Sequence, residues 1–129
     1  MTGPQVRVAG NAYGGATAAS LEYAISHLQV KLVVVLGHEG CGAVQAAVGM
    51  SDAALAAEPP ALRQMLTGLR GDLAAAPQIA QIRDRRARDR EAVVSNVVAQ
   101  MRALAGSELV RAAMAPRPYY LTVYFDRSI

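Results

Sequence analysis

Two side chains with metal-binding chemistry lie three positions apart in one short stretch of the sequence. His38 and Cys41 stand in the run KLVVVLGHEGCGAVQAAVG, and Cys41 is the only cysteine of the chain. Imidazole nitrogen and thiolate sulfur are both good zinc donors, and a helix that begins beside a cysteine favours its thiolate. Taken alone, the histidine is more often a surface or capping residue and the cysteine a small buried hydrophobe. As a closely spaced pair, they predict a metal site.

The residues around this pair predict one strand, one glycine-rich turn and one helix. Leu32 to Leu36 is an unbroken apolar run rich in valine, which is typical of a parallel strand covered on both faces. Gly37, Gly40 and Gly42 then indicate a tight turn, and Ala43 to Val48 has the composition of a helix. Open α/β sheets bind ligands at the carboxyl ends of their strands, so the pattern places His38 and Cys41 where a ligand is expected.

Three blocks of the sequence together resemble the β-class carbonic anhydrases. Residues 37–44, Gly-His-Glu-Gly-Cys-Gly-Ala-Val, are similar to that family's Gly-His-x-x-Cys-Gly-Ala zinc turn. Residues 20–24, Ser-Leu-Glu-Tyr-Ala, resemble the helix that precedes the turn, and residues 6–11, Val-Arg-Val-Ala-Gly-Asn, resemble the strand and loop before that helix. The blocks occur in the family's order and at about its spacing.

The resemblance implies a zinc cofactor with His38 and Cys41 as ligands, and an active-site wall formed by Gly10, Asn11, Gly40 and Gly42. It implies reversible hydration of carbon dioxide to bicarbonate by zinc-bound hydroxide, in a homodimer or a higher homo-oligomer. The family also carries an upstream Cys-x-Asp-Ser-Arg segment that supplies a further zinc ligand and an Asp-Arg pair, and no position of the given sequence matches it. We therefore expect an incomplete site and assign no catalytic residue.

Three sources of a further zinc ligand remain open on the sequence. Asp126-Arg127-Ser128 superficially resembles the unmatched segment, Glu39 carries a carboxylate within the turn, and a two-fold dimer could pool two copies of His38 and Cys41 into a closed Cys₂His₂ site. The alternative function is a non-catalytic zinc-binding or oligomerisation module. A nucleotide loop is disfavoured because Gly40 is not followed by Gly-Lys-Ser/Thr, and a cysteine phosphatase is disfavoured because position 47 is alanine.

The rest of the sequence predicts alternating strands and helices in a single domain over residues 1–129. A brief strand is expected at Gln5–Ala9, a connector at 51–60, a helix ending at Gly71, and a last strand at Tyr119–Phe125. A long helix is expected after the arginine cluster, with one apolar face listed as Val94, Val97, Val98, Met101, Leu104 and Ala105. This order predicts an α/β fold in three layers, a parallel sheet flanked by helices.

Composition narrows the class of partner. The net charge of +3 arises largely from arginine, and residues 83–90 hold five arginines interleaved with two aspartates. Because no aromatic residue accompanies them and Asp84 can meet Arg88 on a helix, we expect a solvated face and no nucleic-acid partner. No apolar run approaches the roughly 18 residues of a membrane span, and a lone cysteine fits a reducing compartment. We expect a cytoplasmic protein without a membrane partner.

Overall fold

The structure, a computed structural model, describes residues 3–115 and 120–126. Its elements follow in the order of a 3₁₀ turn at Ala9–Asn11, α1 at Gly15–His27, β1 at Leu32–His38, α2 at Gly42–Gly49, α3 at Asp52–Ala57, α4 at Pro60–Leu73, a second 3₁₀ turn at Pro77–Gln81, α5 at Arg85–Ala105, α6 at Glu108–Met114 and β2 at Tyr120–Asp126. None of the helices in this described part of the chain is long and apolar enough to cross a membrane.

Strands β1 and β2 form a parallel pair. Leu32 pairs with Tyr120, and the register runs without a break to His38 beside Asp126. Parallel strands require a crossover connection, and here α2 to α6 supply it. The predicted last strand is found, and it extends to Asp126, one position beyond the predicted end. Tyr119, its predicted first residue, lies outside the described residues. The α/β class and the parallel pairing agree with the sequence prediction.

The two faces of β1 differ in their cover. Val33 and Val35 pack against a small cluster of Ile25, Leu104 and Val110 from α1, α5 and α6. On the opposite face, 51% of Leu32 and 39% of Leu36 are exposed. The prediction that β1 is buried on both faces is therefore wrong for the described residues, where helices cover one face of the sheet. The predicted third layer is not seen there.

Gly37 allows α5 to lie very close to β1. A Cβ added at Gly37 would overlap Val97 Cγ2 and lie 3.0 Å from Val93 Cγ1. Sequence analysis placed Gly37 in the turn because of its neighbours, whereas the structure places it inside the strand. Its contribution is the space that its missing side chain leaves for two valines of α5.

The main core joins α2, α4 and α5. The buried members of this cluster are Cys41, Val44, Ala47, Leu55, Leu66, Leu69, Leu73, Ile79, Ala92 and Val93. Helix α5 was expected to bury Val94, but Val94 is 36% exposed and Val93 is 2% exposed. The buried face of α5 is rotated relative to the predicted apolar face. It contains the amides Asn96 and Gln100, which a search for apolar residues does not include.

Three further boundaries differ from the prediction. Residues 5–8 form no strand, and Val6 and Val8 are exposed because no strand among the described residues pairs with them. The expected connector contains α3, whose first turn is capped by the Ser51 hydroxyl accepting from Ala54 N at 3.2 Å. Helix α4 continues through Gly71 to Leu73, since packing of Leu73 into the core outweighs the weak helix propensity of glycine.

The arginine cluster forms the first turns of α5. Asp84 does not form an ion pair with Arg88, because its carboxylate caps the helix by accepting from Ala87 N at 2.7 Å. An ion pair within the helix joins Arg85 and Asp89, with 3.9 Å between nitrogen and oxygen. Arg85 and Arg86 are largely exposed, as expected for a solvated face.

The close approach of α5 to β1 predicts opposite effects for two glycine substitutions. Gly37→Ala should lower the free energy of unfolding by about 1–3 kcal/mol, because the new methyl overlaps packed valines. Gly68→Ala, inside α4 with nothing within 4 Å of its added Cβ, should raise it by about 0.5–1 kcal/mol through helix propensity. Urea unfolding of both variants checks the pair. Equal effects would contradict the packing at Gly37.

Candidate metal centre

The predicted metal ligands lie on either side of one tight turn. Strand β1 ends at His38, Glu39 and Gly40 form the turn, and Cys41 is the N-cap residue of α2. Gly40 has φ +73°, a left-handed conformation in which glycine avoids the steric cost of a Cβ. The structure thus places His38 at the carboxyl end of β1 and Cys41 three residues later at the start of α2, the two positions that the sequence predicted.

The ring of His38 is held through one of its nitrogens. Nδ1 lies 3.0 Å from the carbonyl oxygen of Glu39. Because a carbonyl oxygen can only accept, this bond requires Nδ1 to carry the proton. The neutral ring then presents Nε2 as a lone-pair donor, and a hydrogen bond on the other nitrogen is the usual arrangement for a metal-ligating histidine.

Cys41 combines a free thiol with a buried position. It forms no disulfide, it is 5% exposed, and it belongs to the main core with Val44 and Ala47. Its carbonyl accepts from Gln45 N at 3.0 Å, the first hydrogen bond of α2. The backbone of Cys41 is therefore fixed at the start of a helix, and the position of its thiol depends on how that helix is placed.

The amino-terminal part of α5 contacts this turn at one point and α2 at another. Arg86 Nε donates to Glu39 Oε1 at 3.0 Å, and Gln45 Nε2 of α2 donates to Asp89 Oδ2 at 3.1 Å. The Glu39 carboxylate, considered above as a possible metal ligand, is thus engaged by an arginine. Since the arginine is largely exposed, the pair contributes less than about 1 kcal/mol to stability, and its effect is to orient the turn.

The predicted wall residues take different positions. Gly10 is buried with φ +64°, and an added Cβ would lie 2.6 Å from Leu69 Cδ1 and 3.5 Å from Ala43 Cβ. Gly10 therefore lies against Ala43 in the first turn of α2, which directly follows Cys41. Gly40 and Gly42 are exposed, and an added Cβ would meet nothing within 4 Å. Close backbone packing thus applies to Gly10, whereas Gly40 is needed for its positive φ.

Asn11 is the wall residue with hydrogen-bonding chemistry. Its φ of +40° is left-handed, a region that asparagine tolerates better than most residues. Its Oδ1 accepts from Asn96 Nδ2 at 3.4 Å, and its own Nδ2 is buried with no hydrogen-bond partner among the described residues. The loop thus carries a buried donor that its surroundings leave unsatisfied.

Sequence reasoning missed two buried amides that contact this loop. Asn96 is fully buried and Gln100 is 2% exposed, and both lie on the face of α5 that holds Val93 and Val97. The available signal was two amides four residues apart that interrupt a stripe of valines. Because buried polar side chains require partners, that interruption indicates hydrogen bonds to another part of the chain.

The described residues bring two candidate zinc donors to the turn. His38 and Cys41 have the right chemistry, and the one ring bond leaves Nε2 available, but no group of three or more histidine, cysteine, aspartate or glutamate side chains occurs within residues 3–115 and 120–126. Catalytic zinc takes three protein ligands and a water, and structural zinc takes four protein ligands. Asp126 pairs in register with His38, while Arg127 and Ser128 lie outside the described residues. On these donors alone the set is incomplete.

Comparison with known proteins identifies one family. A family model described as carbonic anhydrase matches residues 5–125. A carbonic anhydrase of Mycolicibacterium smegmatis is 49% identical over 47 residues, which cover 36% of this chain and 23% of the relative. Carbonic anhydrase 2 of Mycobacterium tuberculosis is 54% identical over 43 residues, covering 33% of this chain and 21% of the relative. The curated relatives are therefore matched over less than a quarter of their length.

Solved structures show the same fold over more of the chain. One of two tetrameric β-carbonic anhydrases from Sordaria macrospora superposes with a TM-score of 0.79 and 27% identity, covering 92% of this chain and 60% of that one. The β-carbonic anhydrase CafA of Aspergillus fumigatus gives a TM-score of 0.77 and 27% identity, covering 92% and 56% respectively. The arrangement of helices around β1 is therefore a known one, of which this chain spans somewhat more than half.

The bond between the His38 ring and the Glu39 carbonyl predicts one tautomer. Long-range ¹H–¹⁵N correlation spectra, recorded with the His38 ring uncharged, should show its proton on Nδ1. The exposed ring of His27, whose centroid lies 4.8 Å from that of the tilted Tyr23 ring, provides an internal comparison and should favour the Nε2–H form. A proton on Nε2 of His38 would mean that this nitrogen is not the available donor.

Proposed function

The chain belongs to the β-carbonic anhydrase family, and from that premise we propose that residues 37–42 are the His-Cys part of a zinc site. The observation that supports this most directly is the turn itself. His38 ends a strand with Nε2 available, and Cys41 begins the following helix. We take residues 1–129 as one domain, since α5 packs against both strands and against α2 and α4.

The proposed reaction is the reversible hydration of carbon dioxide to bicarbonate. Zinc, when bound with an open position, acidifies a water so that hydroxide is available at neutral pH. In this chain His38 and Cys41 would hold the metal, and the Glu39 carbonyl would fix the tautomer of the histidine. The loop at Gly10 and Asn11 would form the adjacent wall. Activity requires at least one more donor than the described residues provide.

A homo-oligomer is part of the proposal. The exposed Leu32 and Leu36 face of β1 and the unsatisfied Asn11 donor are features that contact with more protein would cover. The related enzymes of Sordaria macrospora are tetrameric, which supports assembly of this chain as well. If two copies pool their His38 and Cys41 donors, the resulting four-ligand site is closed to water and has a structural role. That is the second candidate function, a zinc-dependent oligomerisation module.

Zinc content per chain tests the proposal. We expect purified protein to bind zinc, and Cys41→Ala or His38→Ala to weaken zinc affinity by more than about 100-fold, beyond the 10–100-fold typical of changes around the ligands. His27→Ala is the matched control, because it removes an exposed histidine outside the turn. Metal analysis and light scattering on the same samples give the stoichiometry and the mass in solution.

The stoichiometry distinguishes the two functions. One zinc per chain together with carbon dioxide hydration supports the enzyme, with a third donor from residues not yet identified. Half a zinc per chain in a dimer without hydration supports the shared structural site. Absence of zinc from the parent protein, or equal zinc loss in His27→Ala, contradicts a zinc site at the turn.

A further inference from the structure

Two buried amides of α5 are bonded to each other and to the loop that precedes α1. Asn96 and Gln100 lie one helical turn apart, and Gln100 Nε2 donates to Asn96 Oδ1 at 3.0 Å. Both are almost completely removed from solvent. Buried amides destabilise a protein unless their donors and acceptors are satisfied, so the partners of this pair indicate what it does.

Two of those partners are backbone atoms of residues 10–13, and a third is the Asn11 side chain at 3.4 Å. Asn96 Nδ2 donates to Gly10 O at 2.8 Å, and Gln100 Oε1 accepts from Tyr13 N at 2.7 Å. The pair therefore binds the loop at both of its ends, Gly10 and Tyr13. Gln100 Nε2 also donates to Asp72 Oδ2 at 2.9 Å, which anchors the same amide to α4. The contacts to Gly10 and Tyr13 join segments more than eighty positions apart in the sequence.

The loop is in a conformation that needs such support. Asn11 has a left-handed φ of +40°, directly after Gly10 with φ of +64°, and a left-handed conformation in a residue other than glycine persists where the surroundings over-determine it. The buried, unpartnered Nδ2 of Asn11 adds a second unfavourable feature. Among the described residues, the only hydrogen bonds that join this loop to a distant part of the chain are those from α5. Its other hydrogen bonds lie within residues 8–18.

The held loop in turn packs against the start of α2. Gly10 lies against Ala43 and Leu69, and Ala12 packs on the core cluster that contains Cys41 and Val44. Cys41 immediately precedes α2, so the position of its thiol follows the position of that first turn. The loop therefore connects the α5 amides to the first turn of α2, beside the proposed metal ligand.

We infer that Asn96 and Gln100 are positioning residues, which press residues 10–13 onto the first turn of α2 and so hold the Cys41 thiol in place for metal. As a statement about metal binding this rests on the proposed zinc site. As a statement about the thiol it stands without metal, because the chain of contacts from Asn96 through Gly10 to α2 is complete in the protein alone.

The test uses Asn96→Leu and Gln100→Leu, which keep approximate side-chain size and remove the hydrogen bonds. Leu104→Ala is the control, a change at a 1% exposed position on the same helix that packs in the separate cluster of Ile25 and Val110. The first readout is the rate at which a thiol reagent modifies Cys41 in metal-free protein. The second is affinity for Co²⁺, followed by its thiolate charge-transfer absorption. Rates are compared after correction for the unfolded fraction of each variant.

Loss of either amide should speed Cys41 modification about 10-fold and weaken Co²⁺ binding about 10-fold, the lower end of effects seen when ligand-orienting groups are removed. Leu104→Ala should change neither once its stability loss is corrected. Corrected thiol rates in both amide variants that equal the rate of Leu104→Ala would overturn the inference.

Failure of the zinc proposal is recognised separately. If the parent protein gives no Co²⁺ spectrum, the zinc site is wrong, and the thiol rates still decide the positioning role. If both leucine variants fail to fold, hydrogen exchange on the parent protein decides it. The Tyr13 amide should then exchange as slowly as the buried amides of α5, and rapid exchange at Tyr13 would show that the loop is not held.

Discussion

The absence of a side chain at Gly37 sets the depth at which α5 lies on β1. Val93 and Val97 occupy the space that a Cβ would take, so the helix approaches the strand more closely than another residue would allow. At this depth Asn96, on the same buried face, reaches the carbonyl of Gly10. The candidate metal-binding turn, the loop at residues 10–13 and helix α5 thus all depend on this close contact at Gly37.

Helix α5 organises the candidate site from both of its halves. Near its start, Arg86 and Asp89 contact the turn and α2, and in its second half Asn96 and Gln100 contact the loop. The first contacts are partly exposed and weak in water, whereas the second are buried and costly to leave unsatisfied. The bonds from α5 to the turn therefore stabilise it weakly, whereas the buried bonds from α5 to the loop at residues 10–13 stabilise that loop more strongly.

Local patterns predicted the parts of the fold that local chemistry determines. The strand, turn and helix around His38 and Cys41 follow from valine runs, glycine positions and helix propensity, and all three were found close to the predicted bounds. The expected strand at Gln5–Ala9 failed because a strand needs a partner, and no pattern within five residues supplies one. Val93 rather than Val94 is buried for a similar reason. The side of α5 that faces the core is determined by contacts with Gly37 and residues 10–13, which are distant in the sequence.

The same division applies to the site. His38 and Cys41 could be chosen as candidate ligands because a histidine and a cysteine in one turn form a local signal. The roles of Asn96 and Gln100 could not, because their acceptors and donors belong to residues 10–13, and an amide in a helix carries no mark of its distant partner. Likewise, Glu39 is engaged by Arg86, a pairing that its own position in the turn does not reveal.

The pairing of β1 with β2 has a consequence for how the chain acquires its structure. Leu32 and Tyr120 are partners, so during synthesis β1 emerges long before the strand that completes its hydrogen bonds. Closing such a long loop is entropically expensive, and pairings of this kind form slowly. Helices α2 to α5 can pack first, leaving a valine-rich strand with open edges in the growing chain. That interval is when this protein is most exposed to aggregation.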